Sequence, residues 1–161
     1  MNKILVSACL IGENCKYNGG NNKNQKLLDY LKDKEYVLVC PESMGGLAIP
    51  RLPSEIEKGM DGSDVIDQGA KVYSKDGKDV TAEYLKGAKM SLDIALENEV
   101  GLAILKESSP SCGSSLIHDG NFVGNKKPGQ GVTVAPLFLY QKLKNNPHYT
   151  RHLHMIFGSL L

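Results

Sequence analysis

Four cysteines are spread along a chain of 161 residues, and three stand in runs of small residues: Cys9 in "SACLIG", Cys40 in "CPESMGG" and Cys112 in "KESSPSCGSS". Such runs let the backbone approach a bulky body and turn N–H groups and hydroxyls toward it. A thiol at the centre of each makes that body a metal centre or an electrophile. Cys15, in the polar run "ENCKYNGGNN", is open to three readings: a fourth ligand, an auxiliary thiol or a bystander. For any single cysteine the bland alternative is a small buried hydrophobe.

Spacing alone leaves the metal open. Zinc sites usually present paired C-x₂₋₄-C or H-x₃₋₅-H motifs, and no such pair occurs among Cys9, Cys15, Cys40 and Cys112. Scattered single thiolates suit an iron–sulfur cluster better, although the bacterial ferredoxin run is absent as well.

These thiols must be positioned by the elements around them. "KILVSACL" predicts a buried strand over 3–7, "EYVLVC" a second over 35–40 and "GLAILK" a third over 101–106. Leu27, Leu28 and Leu31 form a helical stripe over 24–34; Leu85, Ala88, Leu92, Ala95 and Leu96 mark the clearest helix, over 81–99, capped by Asp79 or Thr81. A small hairpin turning at Asp76-Gly77 is expected over 70–80, irregular chain over 41–55 and 119–131, and a helix over 131–144. Apolar strands alternating with helices imply one α/β domain with a largely parallel sheet flanked by helices, a Rossmann-like three-layer arrangement. Cys9, Cys40 and Cys112 then follow the three strands, so all of them reach the carboxyl edge of the sheet, where open α/β sheets bind ligands.

Composition narrows the partners. A net charge of +1 and a pI near 7.6 give no electrostatic footprint for nucleic acid or membrane surface, and argue mildly against tRNA. No stretch approaches a membrane span, and the apolar run at the N-terminus breaks at Gly12 and Glu13, short of a signal peptide. A cytoplasmic protein with reduced thiols is expected. "GNKKPGQG" lacks the Lys-Ser/Thr ending of a phosphate loop and reads as a turn or lid, while Arg51 is expected to pair with Glu55 across its own loop.

The ordered set "SACLIGENCKYNGG", "CPESMGGLAIPRLPSEI", "GKDVT", "KESSPSCGSS" and "DGNFVGNKKPGQGVT" resembles the family catalogued as domain of unknown function 523, whose characterised branch is the thiouracil desulfidases. The resemblance implies a [4Fe–4S] cluster with three protein ligands, Cys9, Cys40 and Cys112, and one open iron for the sulfur of a thiolated pyrimidine. It also implies that Glu42 and Ser109 handle the attacking water, with Ser111 an adjacent candidate for the hydroxyl. Cys15 matches a motif position and is left outside the cluster. The bland readings are a helix-start charge for Glu42 and turn or N-cap roles for the serines.

The implied function is non-redox desulfuration of a thiolated uracil or related thionucleobase, a small-molecule substrate. The competing reading is a sensor or structural protein that holds a cluster or zinc without catalysis. The segment 146–161 departs from the family pattern; its His148, His152 and His154 have no carboxylate or cysteine beside them and read as packing or interface. Oligomeric state is not legible here.

Overall fold

A computed structural model describes residues 3–144, so the histidine-bearing tail lies outside the described residues. The centre is a parallel sheet in the order β2-β1-β5, built from β1 (Ile4–Ser7), β2 (Tyr36–Val39) and β5 (Leu102–Ile104). Ile4 pairs with both Tyr36 and Leu102, and Val6 with Leu38 and Ile104. Alternation along β1 divides the core. Ile4 and Val6 pack with Leu27 and Leu31 of α1 (Gln25–Leu31). Leu5 packs on the other face with Ala95 of α4 (Thr81–Glu97) and with Val134 and Leu137 of α5 (Val134–Lys144). The result is the expected three layers.

Local chemistry sets the ends of these elements. Asn24 caps α1 by accepting the Leu27 N–H at 3.0 Å. Asp79 accepts both the N–H and the hydroxyl of Thr81 at the start of α4. Past β2, Pro41 opens the short helix α2 (Pro41–Met44), a position where its missing N–H costs nothing.

Part of the chain beyond the sheet is more regular than its composition suggests. The segment expected to be irregular contains α2 and β3 (Ser54–Ile56), and β3 pairs antiparallel with β4 (Val72–Ser74). The hairpin at Asp76-Gly77 is reduced to a single bridge from Tyr73 to Asp79, on the edge of β4 that β3 leaves free. A further helix, α3 (Gly62–Gln68), is started by a capping box between Asp61 and Asp64. A second ribbon pairs β6 (Leu116–His118) with β7 (Lys126–Pro128) where a loop was expected. These pieces surround their own core, with Ile56, Val65, Val72, Tyr84 and Ile117 among its members.

Two glycines hold α2 against α4. A Cβ on Gly87 would sit 1.9 Å from the Pro41 carbonyl oxygen, and one on Gly45 would sit 2.0 Å from that of Glu83. No side chain fits at either position. This contact fixes the segment carrying Cys40 and Glu42.

Candidate active site

One cavity of ≈ 410 Å³ opens at the carboxyl edge of the parallel sheet, within the size range of small-molecule sites. All four cysteines line it, together with Glu42, Ser109 and Ser111. Cys9 sits in the 3₁₀ turn Ala8–Ile11 directly after β1; Cys40 is the residue before α2, directly after β2; Cys112 lies in the loop after β5. That loop is tied back to the sheet by the Lys106 N–H, which donates to Ser7 Oγ at 2.9 Å.

Three thiols form a linked group. Interaction with Cys15 lowers the pKa of Cys9 and Cys40 and raises that of Cys15 itself, and Cys40 Sγ stands 3.7 Å from the Cys15 carbonyl oxygen. Cys9 falls to about 7, with the Asn22 amide 3.5 Å from its sulfur and the Lys106 charge assisting against burial. Cys40 falls to about 6, helped by Ser43 Oγ at 3.3 Å. Cys112 is buried, and the loss of solvent pushes it up to about 12. Thiolate is the form that binds metals, so Cys9 and Cys40 are prepared for it and Cys112 is not.

Glu42 is held from two sides. Arg51 donates to its Oε2 through Nε at 2.8 Å and Nη2 at 2.7 Å. The side chains are only 9% and 13% exposed, so each ion depends on the other for its solvation. The other oxygen, Oε1, accepts from Ser111 Oγ at 3.0 Å, with Ser109 Oγ at 3.5 Å. The two hydroxyls are 2.8 Å apart. Ser109 also accepts the N–H groups of Ser111 and Cys112, each at 3.2 Å, and so shapes the turn that bears Cys112.

Arg51 therefore pairs with Glu42, where pairing with Glu55 was expected. Its Nη2 also donates to the Cys15 carbonyl oxygen at 3.0 Å, and its backbone N–H to that of Tyr17 at 2.7 Å. One guanidinium thus joins the carboxylate to the loop carrying Cys15. A second brace escaped the sequence: Glu107 Oε1 accepts the N–H groups of Ser108, Ser114, Ser115 and Leu116, and Oε2 the Ser114 hydroxyl at 2.6 Å. Burial pushes the Glu107 carboxyl up, but these donors outweigh it and the pKa falls below the ordinary value. Only a run of serines with free N–H groups hinted at such an acceptor.

A sequence model of the 2-thiouracil desulfurase family matches residues 4–144. The chain belongs to the 2-thiouracil desulfurase family. The uncharacterized protein YbbK of Bacillus subtilis strain 168 is 46% identical over 134 residues, covering 83% of this chain and 88% of that protein. Among solved structures, the [4Fe-4S]-dependent thiouracil desulfidase TudS aligns with a TM-score of 0.79 at 34% identity, covering 100% of this chain and 93% of that one. The mixed α/β fold with its parallel sheet is thus the fold of that desulfidase.

The donor set can be weighed against the group that TudS depends on. Among the described residues, no three His, Cys, Asp or Glu side chains are already gathered around one metal-ion position. Three thiols nonetheless face one cavity from the ends of three different strands, among small residues and loop N–H groups. That arrangement fits a larger, polynuclear body. No helix among the described residues is long and apolar enough to cross a membrane.

Proposed function

We propose that this member of the 2-thiouracil desulfurase family removes sulfur from a thiolated uracil or a related small thionucleobase by hydrolysis, without net electron transfer. The observation that carries the reading is the convergence of Cys9, Cys40 and Cys112 on the cavity into which Glu42 also faces. A closed structural or sensing centre has no need of a carboxylate with hydroxyls on one oxygen and an arginine on the other.

Cys9, Cys40 and Cys112 would hold a [4Fe–4S] cluster through three thiolates, which when bound supplies Lewis acidity toward the thione sulfur and so makes the attached carbon electrophilic. Cys15 stays outside that set, as a neighbour whose interaction lowers the pKa of Cys9 and Cys40.

The chain's own residues handle water. Glu42 Oε1 accepts a proton from the water that adds at the thione carbon, while Arg51 keeps Oε2 occupied and the carboxylate oriented. Ser109 and Ser111 hold that water against Oε1 and line the path of the proton. As the C–S bond breaks and the C=O bond forms, the proton held by Glu42 and the remaining proton of the added hydroxyl both leave with the sulfur. Thione plus water gives carbonyl plus hydrogen sulfide, so charge and electrons balance.

The test is anaerobic reconstitution with iron and sulfide, followed by 4-thiouracil, with sulfide release and loss of the near-ultraviolet thione band as readouts. Wild type and Cys15→Ala are expected to take up iron equally, whereas Cys9→Ala, Cys40→Ala and Cys112→Ala lose it. Iron loss in Cys15→Ala as complete as in Cys9→Ala would reject the three-ligand assignment, and iron uptake without sulfide release would reject catalysis.

A further inference from the structure

The cavity is also lined by residues that the desulfuration chemistry leaves unused, among them Glu55, His118 and Lys126. Glu55 lies in β3 and is 7% exposed. Its Oε2 accepts the N–H groups of Gly120 at 2.8 Å and Phe122 at 3.1 Å, fastening the turn between β6 and β7 against β3. The other oxygen carries no hydrogen bond among the described residues. Oε1 instead stands 4.0 Å from His118 Nδ1, and that nitrogen is buried with no hydrogen-bond partner.

A buried nitrogen beside a buried carboxylate carries the proton, because a lone pair facing an anion would be repelled. Nδ1–H toward Glu55 leaves Nε2 as the ring nitrogen available to the cavity, and in the neutral ring Nε2 is an acceptor. The side chain is 33% exposed, so a ligand can reach the ring. Lys126 is paired directly with His118 across the β6–β7 ribbon, which places both on one face. It is exposed and forms no ion pair among the described residues. The wall therefore offers one acceptor and one cationic donor side by side.

An acceptor next to a donor is the complement of a ring edge that reads N–H then C=O. In both 2- and 4-thiolated uracils, N3–H lies between the thiocarbonyl and the remaining carbonyl. We infer that His118, oriented by Glu55, is a specificity-determining residue that accepts the N3–H of the pyrimidine, while Lys126 donates to the ring's remaining carbonyl oxygen. The inference rests on the proposed thiopyrimidine reading and adds to it how the ring is told apart from other thiones. Rings alkylated at N3 leave the acceptor facing a methyl group, and a site built around a hydrogen bond rejects the analogue that cannot make it.

Uracil keeps this edge and cannot be desulfurated, so its binding reports recognition apart from chemistry. Calorimetric titrations of the anaerobically reconstituted full chain with uracil and with 3-methyluracil are the experiment. Wild type is expected to prefer uracil by about tenfold, the scale of one hydrogen bond. In His118→Ala the preference falls to within about twofold, and His118→Gln, whose amide oxygen can accept the same proton, restores part of it. A merely structural role for His118 would weaken both ligands alike and leave their ratio intact, which overturns the inference. So does a wild type that binds both equally or neither. Sulfide release from 4-thiouracil is measured on the same samples. Turnover without discrimination sinks this inference alone, and discrimination without turnover sinks the catalytic reading alone.

Discussion

Ser111 Oγ donates to Glu42 Oε1 across 3.0 Å, joining two residues 69 positions apart. The bond ties the loop that bears Cys112 to the helix that follows Cys40, so a carboxylate oxygen and two thiols share one frame. Ser109 reaches the same oxygen at 3.5 Å while also holding the N–H groups of Ser111 and Cys112. Two hydroxyls near one carboxylate oxygen therefore have unequal duties.

Replacing them separately tests that inequality. Ser111→Ala removes the shorter bond to Glu42 and is expected to lower kcat by at least about tenfold, the cost of a hydrogen bond to a charged group, with iron content unchanged. Ser109→Ala loosens the turn around Cys112 as well, so both kcat and iron per chain fall. Glu42→Gln keeps the shape, loses the base, and is expected to drop kcat by about 10²-fold or more with iron retained. Single-turnover sulfide release and iron analysis separate the three outcomes. Equal iron retention in Ser109→Ala and Ser111→Ala would remove the shaping role given to Ser109.

The Arg51–Glu42 pair is expected to behave as a buried ion pair. Arg51→Ala strands the carboxylate away from solvent and should destabilise the fold by about 3 kcal/mol, which for a domain of this size is on the order of 10 °C in Tm. Arg51→Lys retains the charge but not the two-point contact on Oε2 and falls between. Combining Arg51→Met with Glu42→Gln removes both charges and should recover most of the loss in stability, while activity stays abolished. Thermal melts of the four proteins decide it, and a double variant no more stable than Arg51→Ala would show that the pair's charges are not the cause.

The crossing of α2 and α4 gives a third expectation. In an exposed helix interior, Gly→Ala would stabilise by about 1 kcal/mol. At Gly87 the added methyl meets the Pro41 carbonyl oxygen at 1.9 Å, inside any permitted contact, so the helices must separate. Overpacking of that kind costs about 1–3 kcal/mol or more, and the clash wins. Because Pro41 lies between Cys40 and Glu42, activity should fall further than stability does. Thermal melts and sulfide release measured on Gly87→Ala check both parts. If that variant is as stable and as active as wild type, the close approach does not position the site.

The parallel sheet and the cysteine crevice were legible because each rests on a local signal. The strands at 3–7, 35–40 and 101–106 are unbroken apolar runs, and a cysteine after a strand can point only to the sheet's carboxyl edge. What stayed hidden depends on pairing between distant segments. β6 and β7 are three residues each, and "KKP" has no apolar alternation to betray a strand. β3 was masked by the prolines around it. The partner of Arg51 was misread because Glu55 is nearer in sequence, yet Glu55 is occupied by the Gly120 and Phe122 amides. Glu42, nine residues away, is brought back by the turn of α2. Glu42 and the serines themselves stood out through family resemblance, since an acidic first turn and a serine-rich loop are ordinary features alone.

Thiol reactivity of the iron-free protein supplies the last expectation, with its sign fixed by the pKa values. At pH 7, Cys40 near 6 is mostly thiolate, Cys9 near 7 about half, and Cys112 near 12 protonated and buried. Iodoacetamide should therefore modify Cys40 first, Cys9 next and Cys112 last. Cys15 should also be slow although it is less buried than Cys112, because its interaction with Cys40 and Cys9 raises its pKa. Raising the pH from 6 to 8 adds the most thiolate at Cys9, since its titration falls inside that window. In Cys15→Ala both neighbours lose the interaction that lowers their pKa values, so these rise and labelling at pH 7 slows. The same shift couples to folding: a Cys40 pKa below that of the unfolded chain stabilises the fold above the unfolded value, and that contribution disappears as pH falls through about 6. Cys112 has the opposite sign, destabilising as pH climbs from the unfolded value toward about 12. Peptide mass spectrometry after timed labelling reads the order directly, and faster modification of Cys15 than of Cys40 would overturn the linked titration of the three thiols from which it follows.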